Sequence, residues 1–246
     1  MKILVCIDDT DNLESRGTGE LATELAGELE KRGWGHSRFV TRHQLLVHPD
    51  VPYTSHNSSM CFEADIQPVF LDQFVTYAGQ YLEQEGAPGS DPGLCVTVQD
   101  RLPDPEALVA FGRRAKKEVL TKRQAYELAS KLDLHLSEHG GTGEGVIGAL
   151  AGVGLRLSGN DGRLKGWLKI RTHNGLARVG DILDQVSLGG VRTMDGEVLG
   201  RKEIIAVHEK PKAVLIHGTT YLMVSPINRE DGVRWCTTPR QHLRRF

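Results

Sequence analysis

At 246 residues, 39% of them hydrophobic, the chain is long enough to bury a sizeable core as one large domain or two small ones. A formal net charge of -2 and a pI near 6.6 exclude a global basic field that would draw it to nucleic acid or an anionic membrane, and leave room only for a local basic patch. No apolar run approaches the length of a bilayer span and no charged-then-apolar signal pattern opens the chain, so a cytoplasmic protein with no membrane partner is expected. Four well-separated cysteines (Cys6, Cys61, Cys95, Cys236), with no Cys-x-x-Cys pair, argue against a zinc ribbon and a disulfide framework.

Residues 3–7 are apolar and rich in β-branched side chains, as in a strand buried on both faces. Asp8, Asp9 and Asp11 follow at once, placing three carboxylates at the strand's end. Such close carboxylates repel one another unless a cation neutralises them, and hard oxygen donors favour Mg²⁺, which bridges readily to phosphate. Gly17, Thr18 and Gly19 then open a helix with the stripe Leu21, Ala22, Leu25, Ala26 and Leu29, ended by Gly33. Thr18 or Ser15 is the expected cap, and a glycine-flanked helix start suits an anion. A plain acidic turn followed by a threonine cap is the competing reading.

Further along, residues 36–48 read as a strand, 53–59 as a polar loop, 60–66 as a strand, 70–83 as a helix and 94–98 as a strand, an alternating α/β order. Helices are expected over 106–119 and 124–132, with Thr121 as a cap; Arg113, Arg114, Lys116, Lys117, Lys122 and Arg123 beside them read as a solvated face. Gly141, Thr142, Gly143 and Gly145 begin a second glycine-rich helix start that repeats the Gly-Thr-Gly-Glu of residues 17–20. It fits neither a P-loop nor, lacking the acidic partner after a strand, a dinucleotide fingerprint. Beyond Gly159 the pattern turns to short strands, at 164–170, 204–207, 213–216 and 221–224. The expected organisation is thus α/β, with α+β character: an α/β region over 1–158 and a smaller β-rich region over 159–246.

The order of these motifs resembles the archaeal isoleucine-tRNA 2-agmatinylcytidine synthetase family, which modifies a tRNA anticodon cytidine using ATP. The matching stretches are Asp8-Asp9-Thr10-Asp11 with Thr18, His48-Pro49-Asp50-Val51-Pro52-Tyr53, Asp91-Pro92-Gly93-Leu94, the turn from Gly141 to Ala151, and Val214-Leu215-Ile216-His217-Gly218. The resemblance implies ATP and Mg²⁺ as cofactors, Asp8, Asp9 and Asp11 as their ligands, and Thr18 as a phosphorylation site. It also implies a kinase-like region over 1–158, within which 60–118 would form a ferredoxin-like βαβα unit. Where that family continues into an OB-fold and a zinc ribbon, this chain ends at Phe246, and Thr54, His56 and Glu144 stand where the family has basic residues.

The expected function is therefore phosphoryl or related group transfer from Mg-ATP to a nucleoside-like or small-molecule acceptor, with His139 or His56 as candidates for a general base. Tight tRNA binding by this chain alone is not expected, and homo-oligomerisation is left open. Two rivals remain: a non-catalytic nucleotide- or RNA-binding module, and an aspartate-based phosphatase.

Overall fold

The structure, a computed structural model, describes residues 1–51, 57–244 and 246. Thr54 and His56, with the loop around them, lie outside the described residues. The chain divides into two compact units, Met1–Ser158 and Gly159–Phe246.

In the first unit β1 (Lys2–Asp8) is the central strand of a five-stranded sheet. It lies between β3 (Ser58–Ile66) and β4 (Gly93–Val98), with β2 (Gly35–Gln44) beyond β3 and β5 (His135–Glu138) beyond β4. All four pairings are antiparallel. An antiparallel sheet commonly leaves one face in water, yet here helices cover both, which is why β1 carries no polar interruption. Ile3, Val5 and Ile7 pack on α1 (Thr18–Lys31) and α2 (Leu71–Glu85) through Leu21, Leu25, Phe74 and Leu82. Leu4 and Cys6 point the other way, toward α3 (Pro105–Ala115), α4 (Lys122–Lys131) and α5 (Gly145–Leu157), meeting Leu108, Phe111, Val146 and Leu150. Each fully buried Leu, Ile or Phe contributes roughly 1.5–3 kcal/mol, so the two faces of this one strand anchor both helical layers. Because β1 separates β3 from β4, residues 60–118 share their sheet with the N-terminal strand. Cys6, Cys61 and Cys95 are free and buried side by side across β1, β3 and β4.

Two readings of the first unit change. The expected cap on α1 is not made by Thr18 or Ser15: Gly17 is the cap residue, without a side-chain bond, and Thr18 is the first helical residue. Its hydroxyl instead reaches Asp11 Oδ1 at 3.2 Å. The helix expected over 106–119 stops at Ala115, whereas Thr121 does cap α4, in a reciprocal capping box with Gln124.

The second unit is built from short strands: β6 (Arg163–Leu164), β7 (Leu176–Arg178), β8 (Gly190–Thr193), β9 (Ile204–Ala206), β10 (Ala213–Ile216), β11 (Thr219–Pro226) and β12 (Trp235–Thr237). β11 pairs antiparallel with β10 and β12 and parallel with β8. A seven-residue helix, α6 (Val179–Gln185), not expected from the sequence, packs Val179 and Ile182 with Val191, Ile205 and Leu222. The strand expected over 164–170 is also corrected: regular pairing ends at Leu164. The chain stays close to its neighbour through single bonds such as Leu168 N–H to Pro211 O at 2.9 Å, which do not build a ladder. No helix among the described residues is long and apolar enough to cross a membrane.

Candidate functional site

At the carboxyl end of β1 the first unit encloses a cavity of about 590 Å³, within the usual range for small-molecule sites. Asp8, Asp9 and Asp11 line it together with Gly17, Thr18 and Gly19 of the α1 start and Gly145 and Gly148 of α5. Of the residues expected at the site, Gly141, Thr142 and Gly143 do not line it.

Asp8 is 8% exposed and rests against the start of α5 so closely that a Cβ on Gly148 would overlap its Oδ2. Burial, and then the neighbouring Asp9 charge, push its carboxyl up to about 8; a backbone hydrogen bond from Asp9 offsets part of the rise. Asp9 follows in the left-handed region, at φ 49°, which turns the chain sharply out of the strand. Burial raises Asp9 to about 6, followed by the charges of Asp91, Asp11 and Glu144. The site therefore concentrates negative charge in poor solvation.

The two glycine-rich helix starts differ. At α1 the amides of Thr18 and Gly19 have no acceptor among the described residues and remain open to an anion. At α5 the Gly145 amide donates to Asp91 O at 3.2 Å, while the Thr142 amide and hydroxyl donate to Asp91 Oδ1 and Oδ2 at 2.6 and 2.5 Å. The second turn thus serves to hold Asp91 at the cavity wall.

Cations enter from residues the sequence did not single out for the site. Arg42 lines the cavity from β2, its Nε donating to Ser58 Oγ at 2.9 Å. Lys122, taken from sequence as part of a solvated face, also lines it; its Nζ donates to Thr142 O at 2.6 Å and pairs with Glu138 at 2.8 Å. Leu45, Leu46, Val51, Val119 and Leu120 add apolar surface to the lining, Leu45 close to Asp8.

Among the described residues no three His, Cys, Asp or Glu side chains form a ready-made metal group. The expected trio of Asp8, Asp9 and Asp11 is consequently not a preformed cage. The donor set still fits Mg²⁺, which holds to one or two carboxylates, keeps several waters and takes its remaining ligands from substrate phosphates. His139, a candidate base, lies elsewhere: its Nε2 is 2.8 Å from Ser137 Oγ and its Nδ1 3.2 Å from Glu83, and it is not among the cavity residues.

Fold and cavity together define a mixed α/β protein with a carboxylate-rich pocket beside an open helix start. In sequence and in fold the chain is similar to the isoleucine-tRNA 2-agmatinylcytidine synthetases, as its motifs indicate. It is 26% identical over 184 residues to the Pyrococcus horikoshii enzyme of that name, covering 73% of this chain and 42% of that one. An uncharacterised protein of Methanocaldococcus jannaschii is 28% identical over 155 residues, covering 63% of this chain and 50% of its own. The chain thus spans about half the length of the curated relatives it matches. Among solved structures, a tRNA fluorescent labelling enzyme superposes with a TM-score of 0.53 at 26% identity, covering 63% of this chain and 36% of that one. The ligand-free isoleucine-tRNA agmatidine synthetase gives 0.54 at 25% identity, covering 63% and 35%. Its complex with the isoleucine tRNA and ATP gives 0.57 at 23% identity over 80% and 48%, a likeness of fold. No protein-family model matches the chain. Weak tRNA binding, expected from composition, finds no support in relatives solved with tRNA bound.

Proposed function

We propose that this chain is a Mg-ATP-dependent enzyme that transfers a phosphoryl or related group to a nucleoside-like or small-molecule acceptor. The observation that carries the reading is the juxtaposition, in one cavity, of Asp8, Asp9 and Asp11 with the open amides of Thr18 and Gly19. Asp8 and Asp9 would hold Mg²⁺, and the α1 start would receive a phosphate on its unbonded amides and positive dipole end. Bound Mg²⁺ supplies charge neutralisation across the phosphates. Lys122 and Arg42 bring positive charge to the same cavity, and the apolar side chains of Leu45, Leu46, Val51, Val119 and Leu120 would exclude water from the rest of the ligand.

The solved complexes with ATP, and with an ATP analogue and agmatine, support this reading by likeness of fold. The aspartate-based phosphatase reading is disfavoured, because the run from Asp9 is Asp9-Thr10-Asp11-Asn12-Leu13, and its last position is Leu where such an aspartyl nucleophile motif carries Thr or Val. The test is calorimetric titration with Mg-ATP of the native chain, Asp8→Asn and Asp9→Asn, alongside a phosphate-release assay. Both variants are expected to lose at least tenfold in affinity, about 1.4 kcal/mol. Unchanged affinity in both would overturn the site, whereas binding without turnover would assign the chain as a non-catalytic nucleotide-binding module.

A further inference from the structure

We propose that the second unit carries a docking surface for an unpaired polynucleotide strand, laid along residues 165–171 with Trp167 as its stacking platform. The surface lies wholly within residues 159–246, so it stands or falls independently of the ATP reading.

The first observation is charge. Residues 159–246 contain 15 Lys and Arg against 9 Asp and Glu, a surplus hidden in the near-neutral whole. The second is the arrangement of residues 165–171. Lys165, Trp167, Lys169 and Arg171 are exposed, while Leu168 and Ile170 turn inward and pack against the core around Val179 and Leu222. From Trp167 to Arg171 the alternation makes one outward row of ring, cation, cation, with the exposed Lys165 just beyond the bend at Gly166 (φ 82°). The row is held in place by Leu168 N–H to Pro211 O at 2.9 Å, Lys212 Nζ to Gly166 O at 2.6 Å and Arg171 N–H to Gln185 Oε1 at 2.7 Å. It is thus a fixed surface of exposed side chains.

The third observation is Trp167 itself. It is 53% exposed, with the Lys210 ammonium 4.8 Å from its ring centroid, which leaves ring surface for a partner. Among the described residues, Lys165, Lys169 and Arg171 have no carboxylate partner. An exposed indole flanked by unpaired cations is what a single strand requires: a π-face for a splayed base and positive groups for the phosphates on either side. A duplex, whose bases stack on one another, offers no free face to Trp167. An anionic lipid surface would also accept cations and an indole, but the row carries one ring and no amphipathic helix to insert.

The test uses the full chain and a short fluorescein-labelled single-stranded RNA of mixed sequence, read by anisotropy, with the corresponding duplex and phosphatidylserine vesicles in parallel. Binding to the single strand, with quenching of indole fluorescence, is expected to exceed binding to the duplex and the vesicles. Trp167→Ala should weaken it roughly tenfold, within the range for loss of one base–aromatic stack, and Trp167→Phe should recover most of that loss. Lys169→Ala with Arg171→Ala should reduce the salt slope by about 1.4 for two lost phosphate contacts on a single strand. These side chains are exposed, and circular dichroism should show all three variants folded. Absence of binding, an affinity unmoved by Trp167→Ala, or preference for vesicles or duplex would each overturn the proposal.

Discussion

Residues 1–158 hold 23 acidic against 15 basic side chains, while residues 159–246 hold 9 against 15, and the two units place their charges differently. In the first unit the decisive carboxylates are sunk into a cavity under a doubly covered sheet, where burial raises the protonation of Asp8 and Asp9. In the second, short strands leave Lys165, Lys169 and Arg171 on the surface. The contrast teaches that depth decides what a charge does. Buried, it stores electrostatic free energy that a ligand can release; exposed, it attracts a partner at range and is weakened by salt.

The sharpest way to probe the contrast is pH. Asp8 has a folded pKa of about 8 against roughly 3.9 in an unfolded chain, so the folded state binds more protons between these values. Stability contributed by the protonated group is complete below about pH 4 and lost as pH rises to about 8. The loss approaches about 6 kcal/mol at most, at roughly 1.36 kcal/mol per pKa unit. Urea unfolding without divalent cations should show this decline, Asp8→Asn should flatten it, and added Mg²⁺ should reduce it. A pH-independent midpoint in the native chain would remove the contrast.

A smaller effect tests the walls of the cavity. A Cβ on Gly93 would overlap the backbone of Gly145, where β4 and α5 touch, so Gly93→Ala should cost about 3 kcal/mol, the upper range for overpacking. The urea midpoint should fall accordingly. Smaller again is Thr121→Ala, which removes the capping box beside Lys122 and should cost about 1 kcal/mol. Of the same order is Thr18→Ala, which loses one long hydrogen bond to the Asp11 carboxylate and no cap, about 1.5 kcal/mol, the lower end for a charged acceptor. If Thr18 is phosphorylated, as the resemblance implies, Mg-ATP should add one phosphate to the native chain, mapped to Thr18 and absent from the Ala variant. Phosphate mapped elsewhere would leave Thr18 a structural residue.

Much of the first unit was legible because its signals are local. The uninterrupted run of β1 and the stripe on α1 match the two hydrophobic faces that the structure buries. What escaped depends on contacts distant in the chain. The antiparallel pairing of β1 with both β3 and β4 follows from register across the sheet, which hydrophobic periodicity does not encode. Lys122 looked like one member of a basic run because its partner Thr142 is reached only when α4 folds back. Asp91 gave no sign that it would take the Thr142 amide and leave the second glycine turn without that donor. Threonine is common at caps and Thr18 reads as one, but the nearby Asp11 offers its hydroxyl a charged acceptor. In the second unit, residues 164–170 alternate as a strand would, and Trp167, Lys169 and Arg171 alternate outward without a ladder beside them.

The central place of β1 also bears on how the chain emerges from the ribosome. β1 is translated before its partners β3 and β4, and the helix covering its second face ends at Leu157. At about 5–20 residues per second, roughly 8–30 s separate the synthesis of that strand from the synthesis of its last cover. Until β3 and β4 emerge, both edges of this apolar, β-branched segment are unpaired, and until α5 emerges its second face is bare, so nascent-chain folding is exposed to aggregation before the fold can close.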